Sequence, residues 1–377
     1  MTTVRDILAA VDRLAPLALA EAWDNVGLLL GDPEAEVRRV LVALDVTEAV
    51  CAEAEQVAAE VVLAHHPLIF QPVARLTAET VQGRLALRLA REGRAVIAAH
   101  TNLDSAPGGL SDLLAGMIGL TDTEPLEAGP SPRRYKVVLY APEDALEAVA
   151  DAAFGAGAGR VGRYTEVAFE TAGTGRFRPG QGAQPAEGEV GRASRIPERR
   201  LETVVPEARL GAVLAAIVRA HPYEEPVVDC YRLDEASVPT PPGQGGRGPT
   251  AGLGRVGPIK GSRTLGDLAD KTREALGCES VRLAGDPAAP IERAAVLTGS
   301  GGGMAQALRR AGAQAFVTGE MKYHDLSDLA AAGTGVILGG HWRTERVTLA
   351  AWAPRLAEAV DVEVRMSERE RDPTVWR

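Results

Sequence analysis

The chain has 377 residues, a net charge of −10 at neutral pH and only 4% aromatic residues. This length suits two or three domains at roughly 150 residues each. The charge argues against a nucleic-acid face spread over the whole molecule, the few aromatics weaken any proposal of base stacking, and no apolar run is long enough to cross a bilayer.

The opening residues, Met1 to Asp6, lack the basic-then-apolar layout of a secretory leader, and cytoplasm is the expected location. Thr3 is placed to cap a helix carrying Ile7, Leu8, Val11 and Leu14, which Pro16 closes. Glu21 to Asp32 reads as a loop entering a glycine-bounded strand, in which Asp24 and Asn25 either line a site or, the favoured reading, serve as turn residues. Val40 to Asp45 is a buried strand, Thr47 caps a helix to about Glu60, and a second apolar run follows at Val61 to Ala64. That order predicts a right-handed parallel unit. The second run ends in His65-His66-Pro67. Pro67 cannot continue a strand ladder, so the chain turns at the histidine pair, and two neutral nitrogen donors at a parallel strand end suit a metal site.

A helix from about Glu79 to Glu92 leads to the strand Ala95 to Ala99, which ends in His100-Thr101-Asn102-Leu103-Asp104. Open α/β sheets place ligands at such strand ends, and Asp104 is the natural carboxylate partner of the histidine pair. For His100, ligand and non-ligand roles both stand open.

From Thr121 to Arg134 the chain turns to Pro, Gly, Ser and acidic residues, as at a domain boundary. Beyond it come a strand at Tyr135–Tyr140, a helix from Pro142 to about Phe154, strands at Tyr164–Glu170 and Leu201–Val205, a helix at Pro206–Ala220 and a strand at Val227–Leu233. This β-α-β-β-α-β order is that of a ferredoxin-like module. Residues 172 to 197, rich in Gly, Arg, Pro and Gln, are expected to form a long mobile loop. His221-Pro222-Tyr223-Glu224-Glu225-Pro226 has ligand chemistry, but two prolines in a tight connection favour a structural turn. Residues 235 to 250 read as a linker.

The α/β rhythm then resumes with a helix at about Leu265–Leu276 and a strand at Ala294–Leu297. That strand runs into the glycine-rich stretch Thr298 to Met304, which lacks the Lys and Ser/Thr of a P-loop and is expected to be a tight strand-to-helix turn. Ala315–Thr318 leads into Gly319 to Asp325, where Glu320, Lys322 and His324 are acid–base candidates. Val336 to Gly340 ends in His341-Trp342-Arg343-Thr344-Glu345, and a helix starting near Trp342 sets His341 and Glu345 one turn apart on one side. Cys51, Cys230 and Cys278 form no CxxC, so neither a disulfide framework nor a thiolate zinc site is suggested.

Three segments therefore bring donors to strand ends: His65 with His66, Asp104, and His341 with Glu345. Five ligands exceed one four-coordinate zinc and suit two metals about 3.5–4 Å apart with a bridging carboxylate and open positions for water. Nitrogen and oxygen donors without thiolate point to zinc, iron, manganese or cobalt.

With these motifs in this order, the chain resembles the Nif-three-like dinuclear metal-centre family, whose members are also labelled GTP cyclohydrolase 1 type 2 homologs. The resemblance is carried by Ala64-His65-His66-Pro67-Leu68-Ile69-Phe70, His100 to Gly109, Gly319 to Asp325 and Gly340 to Glu345. It implies that His65, His66, Asp104, His341 and Glu345 bind two divalent metals, with Glu345 bridging, in a homohexameric ring whose metal sites face an internal cavity. It also implies that residues 1–125 and 250–377 are two halves of one α/β core, of mixed or parallel sheet, interrupted by a PII-like module at 128–240. Trp342 stands where a less bulky residue is expected, which would narrow the pocket. Two functions follow. One is a metal-dependent hydrolase acting on a nucleotide or related small molecule through a metal-bridging hydroxide, with His100 or His324 moving protons. The other is a non-enzymatic metal-loaded ring whose inserted module senses a small molecule or docks a partner.

Overall fold

The computed structural model describes residues 1–129, 134–161, 164–233 and 251–374. The chain divides into two units, Met1–Pro130 with Gly245–Arg377, and Ser131–Gln244. The expected linker at 235–250 lies outside the described residues.

The first unit contains two sheets. One has the spatial order Gly27–Leu30, Ala95–Ala98, Val61–Ala64, Arg39–Ala43, Glu363–Met366. Its last four strands run parallel, and Gly27–Leu30 closes one edge antiparallel. Ala95–Ala98 and Val61–Ala64 are buried at every residue, as their uninterrupted apolar runs require of strands covered on both faces. The helices between the strands start at capping threonines: Thr3 before Val4–Leu14, Thr47 before Glu48–Gln56 and Thr80 before Val81–Arg91. The Thr47 helix stops at Gln56, short of the expected Glu60, and Ala58 takes a φ of +51° as the chain turns into the next strand.

The second sheet has the order Arg282–Ala284, Gly335–Leu338, Ala315–Glu320, Arg293–Ser300, Gly252–Pro258, Glu124–Ala128. Its three central strands are parallel except at the pairing with Gly335–Leu338's outer neighbour, Arg282–Ala284, which is antiparallel, as are the two strands at the other edge. The Thr121–Arg134 stretch, read as a domain boundary, contains a strand of the core: Ala128 pairs with Gly252 and Glu124 with Val256. Poor apolar content does not prevent an edge strand, whose energy lies in its backbone ladder.

The two halves interlock. Glu363–Met366, near the end of the chain, pairs with Arg39–Ala43 near its beginning. The helix His341–Ala359 sends Leu349, Trp352 and Leu356 into a core shared with Val4, Ile7, Leu63, Ile97 and Leu103.

The second unit is one antiparallel sheet in the order Ala168–Phe177, Ser194–Pro206, Arg134–Ala141, Val228–Arg232. Helices Leu146–Gly155 and Glu207–Ala220 bury Val149, Ala153, Val213 and Ile217 against Val137, Leu139, Leu201 and Val205. The strand expected at Tyr164–Glu170 begins only at Ala168, and the two ends of the expected mobile loop are paired strands, with Ala172 opposite Arg199 and Phe177 opposite Ser194, leaving 178–193 as the connection between them. Alternation of apolar residues marks a strand only where one face is buried. The Ala168–Phe177 strand is largely exposed, so its pattern gives no signal.

Candidate metal centre

The site lies in the first unit, at the carboxyl ends of its parallel strands. Backbone bonding continues two residues past Val61–Ala64: His65 N–H donates to Ala43 O at 3.0 Å and His66 N–H to Leu44 O at 2.8 Å. Both histidines are therefore fixed by backbone before Pro67 turns the chain away. His100 caps the short helix Thr101–Ser105, which carries Asp104 inward. Gly340, at φ +92°, lets the chain turn from Gly335–Leu338 into a helix that begins at His341, one residue earlier than expected. His341 and Glu345 then stand one turn apart, with His341 Nε2 3.1 Å from Glu345 Oε1.

These groups converge. His65 Nε2 lies 3.8 Å from Asp104 Oδ2 and 3.7 Å from Glu345 Oε1, and His66 Nε2 is 3.1 Å from Glu345 Oε2. Two overlapping donor sets result, each within 4.8 Å: His65, His66 and His100, and His66, His341 and Glu345. The structure thus gathers all five expected metal ligands and His100. It does not gather His324, which is exposed on the helix Tyr323–Ala331 with its ring 5.6 Å from that of Tyr323. The break between Lys322 and Tyr323 turns that helix, so His324 does not follow Glu320 towards the site.

A second layer holds every imidazole by Nδ1. His65 Nδ1–H donates to Ala99 O at 2.8 Å, His66 Nδ1 is 2.8 Å from Asp45 Oδ1, His100 Nδ1 is 2.9 Å from Asp24 Oδ1, and His341 Nδ1 is 3.1 Å from Glu320 Oε1. A carbonyl can only accept, so His65 carries a proton on Nδ1, and its neutral form offers Nε2 to a metal. Oxygen acceptors behind all four rings are the arrangement that orients metal-binding histidines. Asp24, favoured as a turn residue over one lining a site, is fully buried at its side chain and also accepts from Thr101 N–H at 3.0 Å. Asp104 Oδ1 accepts from Thr298 Oγ at 2.9 Å, across the two halves of the unit.

Two buried polar atoms at the centre have no hydrogen-bond partner among the described residues: His65 Nε2 and Glu345 Oε2. Glu345 Oε2 lies near His66 Nε2 but out of alignment for a hydrogen bond. Orphaned buried acceptors cost about 1–3 kcal/mol each, and both would find partners in a cation between them. Glycine makes the room. Gly299, at φ +67°, lies against the carboxylate, and a Cβ there would overlap Glu345 Oε1 and reach within 3.3 Å of His341 Nε2. The glycine-rich stretch is a strand-to-helix turn as expected, and it also walls the site. The donor set fits a divalent metal.

The electrostatics fit it too. Burial pushes the Glu345 carboxyl up, but the imidazoles of His341, His65 and His66 outweigh it and hold the group well below 4.5. Burial disfavours charge on His66, yet hydrogen bonding to Asp45 and the nearby Glu345 raise it to about 10. Glu345 is the main cause that raises His341 to about 9. Burial raises Asp104. The acid Asp24 is pushed up by burial but is held at about 2 by the bonds from His100 and Thr101.

A cleft of about 540 Å³ opens beside the cluster, lined among others by His66, Glu320, His341, Trp342 and Arg282. Trp342 forms part of its wall. In the second unit, His221 uses both ring nitrogens locally, Nε2–H to Tyr140 O at 2.8 Å and Nδ1 accepting from Tyr223 N–H at 3.1 Å. Its turn is structural.

The family model for Duf34/NIF3 (NGG1p interacting factor 3) matches residues 2–373. The chain belongs to this family. A GTP cyclohydrolase 1 type 2 homolog of Mycobacterium tuberculosis is 39% identical over 344 residues, 90% of this chain and 87% of the relative. One from Bacillus subtilis is 36% identical over 338 residues, covering 90% of this chain and 88% of the relative. The crystal structure of a Bacillus cereus protein related to NIF3 superimposes with a TM-score of 0.81 at 35% identity, covering 100% of this chain and 99% of that one. The mixed α/β fold, with parallel and antiparallel sheets, is thus that of NIF3-related proteins. No helix among the described residues is long and apolar enough to cross a membrane.

Proposed function

We propose that this family member is a metal-dependent hydrolase of a nucleotide or related small molecule, holding two divalent ions between His65, His66, Asp104, His341 and Glu345. The observation that carries the reading is the pair of orphaned buried atoms, His65 Nε2 and Glu345 Oε2, inside a ring of imidazoles all tethered from behind. Glu345 has one oxygen towards His341 and the other towards His66, which suits a carboxylate shared by two ions. The absence of thiolate favours zinc, iron or manganese. Bound there, the ions supply Lewis acidity and a water acidic enough to act as nucleophile near neutral pH. The protein's own part is orientation and proton movement. Asp24 holds the Nδ1 side of His100, leaving Nε2 on the site side to take or give a proton. The adjoining cleft carries Arg282 beside Asp45, Glu320 and Asp372, so a phosphate there would rely on the bound ions as well as on Arg282. The relatives' name supports a nucleotide as substrate.

The same reading includes a homohexameric ring, a cytoplasmic setting and a PII-like role for the inserted unit. The insert's own cavity, about 360 Å³ and lined among others by Tyr140, Arg176, Glu198 and Tyr223, favours a second reading in which that unit binds a regulatory small molecule. The deciding experiment is elemental analysis of protein purified without chelator, followed by turnover of a nucleotide panel. Close to two equivalents of metal and metal-dependent turnover are expected. Metal binding with no turnover favours the regulatory reading, and failure to take up zinc, iron or manganese rejects both.

A further inference from the structure

We propose that Trp23 and Phe70 form a platform for a planar aromatic ring of the ligand that the metal centre acts on. This rests on the reading of the cluster as a substrate-binding site. The chain is poor in aromatics, yet two of them stand together at the lip of the cluster. Their rings are 6.0 Å apart and tilted by 60°. Each lies edge-on to His100, Trp23 at 6.3 Å and Phe70 at 6.4 Å, and His100 is itself 5.1 Å from His65.

Both residues keep a large share of their surface open: Trp23 is 57% exposed and Phe70 40%. Single exposed aromatics are ordinary on a protein surface. What sets this pair apart is its mounting. Trp23 precedes Asp24, whose buried carboxylate is bonded to His100 and to Thr101. Phe70 follows Ile69, whose carbonyl accepts from Asn25 Nδ2 at 2.5 Å. Two loops that are 44 residues apart are therefore tied to each other and to a histidine of the site, with both rings left facing water. A rigid, exposed aromatic pair has little rotamer freedom to lose when a flat ring settles on it. The chemical class it fits is a heteroaromatic ring such as a nucleobase, whose π-face stacks irrespective of its edge pattern.

The test uses the full chain loaded with zinc, titrated with guanosine monophosphate and with ribose 5-phosphate, by calorimetry and tryptophan fluorescence. The two probes share the phosphate and sugar and differ by the ring. The parent should bind the nucleotide about 5- to 150-fold more tightly, the span of one stacked base, with quenching of fluorescence. Trp23→Ala should remove most of that difference while leaving ribose 5-phosphate binding and zinc stoichiometry at the parental level. Trp23→Phe should restore much of it. A parent that binds neither probe, or both equally, overturns the proposal. So does a nucleotide preference that survives both Trp23→Ala and Phe70→Ala. A change of oligomeric size in Trp23→Ala without a change of preference also overturns it, assigning the pair to contact with a second copy. Zinc uptake in the same samples keeps the two readings apart: a parent without zinc refutes the metal centre, and a zinc-loaded parent blind to the ring refutes only the platform.

Discussion

Replacing Arg255 with Met should be among the most destabilising single changes in the metal-binding unit. Arg255 is only 2% exposed, on the strand Gly252–Pro258. All five of its N–H donors are used. Nε donates to Asp112 Oδ1 at 2.6 Å and Nη2 to Asp112 Oδ2 at 2.8 Å, a bidentate pair. Nη1 donates to Gly252 O and Gly254 O, each at 2.7 Å, and Nη2 to Ala106 O at 3.0 Å. Met keeps the bulk and removes every donor, leaving a carboxylate and three carbonyls short of partners. Breaking one side of a buried ion pair costs about 3–5 kcal/mol. For a unit of this size, about 2–4 °C is lost per kcal/mol, so the melting midpoint should fall by about 6–20 °C. Differential scanning calorimetry and urea unfolding measure it. Arg255→Met combined with Asp112→Asn should cost less than the sum of the two singles, because the pair is lost only once. An Arg255→Met midpoint within about 2 °C of the parent, or strict additivity in the double variant, refutes the reasoning.

Glu345→Gln keeps size and removes the charge that three imidazoles share, so at least one metal should be lost or weakened, whereas His324→Gln should keep both; the opposite pattern of metal stoichiometry would reverse the assignment. In the metal-free protein His66, at about 10, and His341, at about 9, hold protons at neutral pH. Metal uptake must displace them, so adding zinc to weakly buffered protein should acidify it and apparent affinity should rise up to about pH 9–10; pH-independent uptake contradicts this. Glu53 accepts bonds from Ser367 Oγ, from Glu368 N–H at 2.8 Å and from Arg369 N–H at 3.2 Å. Burial pushes its carboxyl up, but these bonds prevail and lower it from 4.5. Because the folded value is the lower one, the stabilisation is present above the unfolded value and is lost as pH falls through the folded value. Glu53→Gln should therefore cost about 1–3 kcal/mol at pH 7 and little once both forms are protonated, a difference that denaturant titrations at pH 7 and in acid will detect or disprove.

The first layer of the site was legible because each ligand ends an apolar run, and a parallel sheet delivers such ends to one rim. The second layer was less so. Asp45 and Glu320 also end apolar runs, Val40–Leu44 and Ala315–Gly319, so the same rule reaches them; what it does not give is which histidine each one backs, 21 residues away in both cases. Asp24 gave no such signal, since its segment is irregular and its partner His100 lies 76 residues on. His324 misled because proximity in sequence to Glu320 says nothing across a strand-to-helix break.

The distribution of ligands over the chain has a physical consequence. His65, His66 and Asp104 come from the first half of the unit, and His341 and Glu345 from the second. The first half holds one three-donor set, His65, His66 and His100, but the set with His341 and Glu345 needs both halves, and the join between them is made by long-range contacts: Thr298 on Asp104, 194 residues apart, and Glu363–Met366 beside Arg39–Ala43. The bases of the insert are adjacent as well, with Ala128 paired to Gly252. The centre can therefore form only after both halves have found each other around the interrupting sequence. A cation that binds the assembled cluster and not the open chain stabilises that assembly by mass action, so metal occupancy and folding of this unit are linked whatever chemistry the site performs.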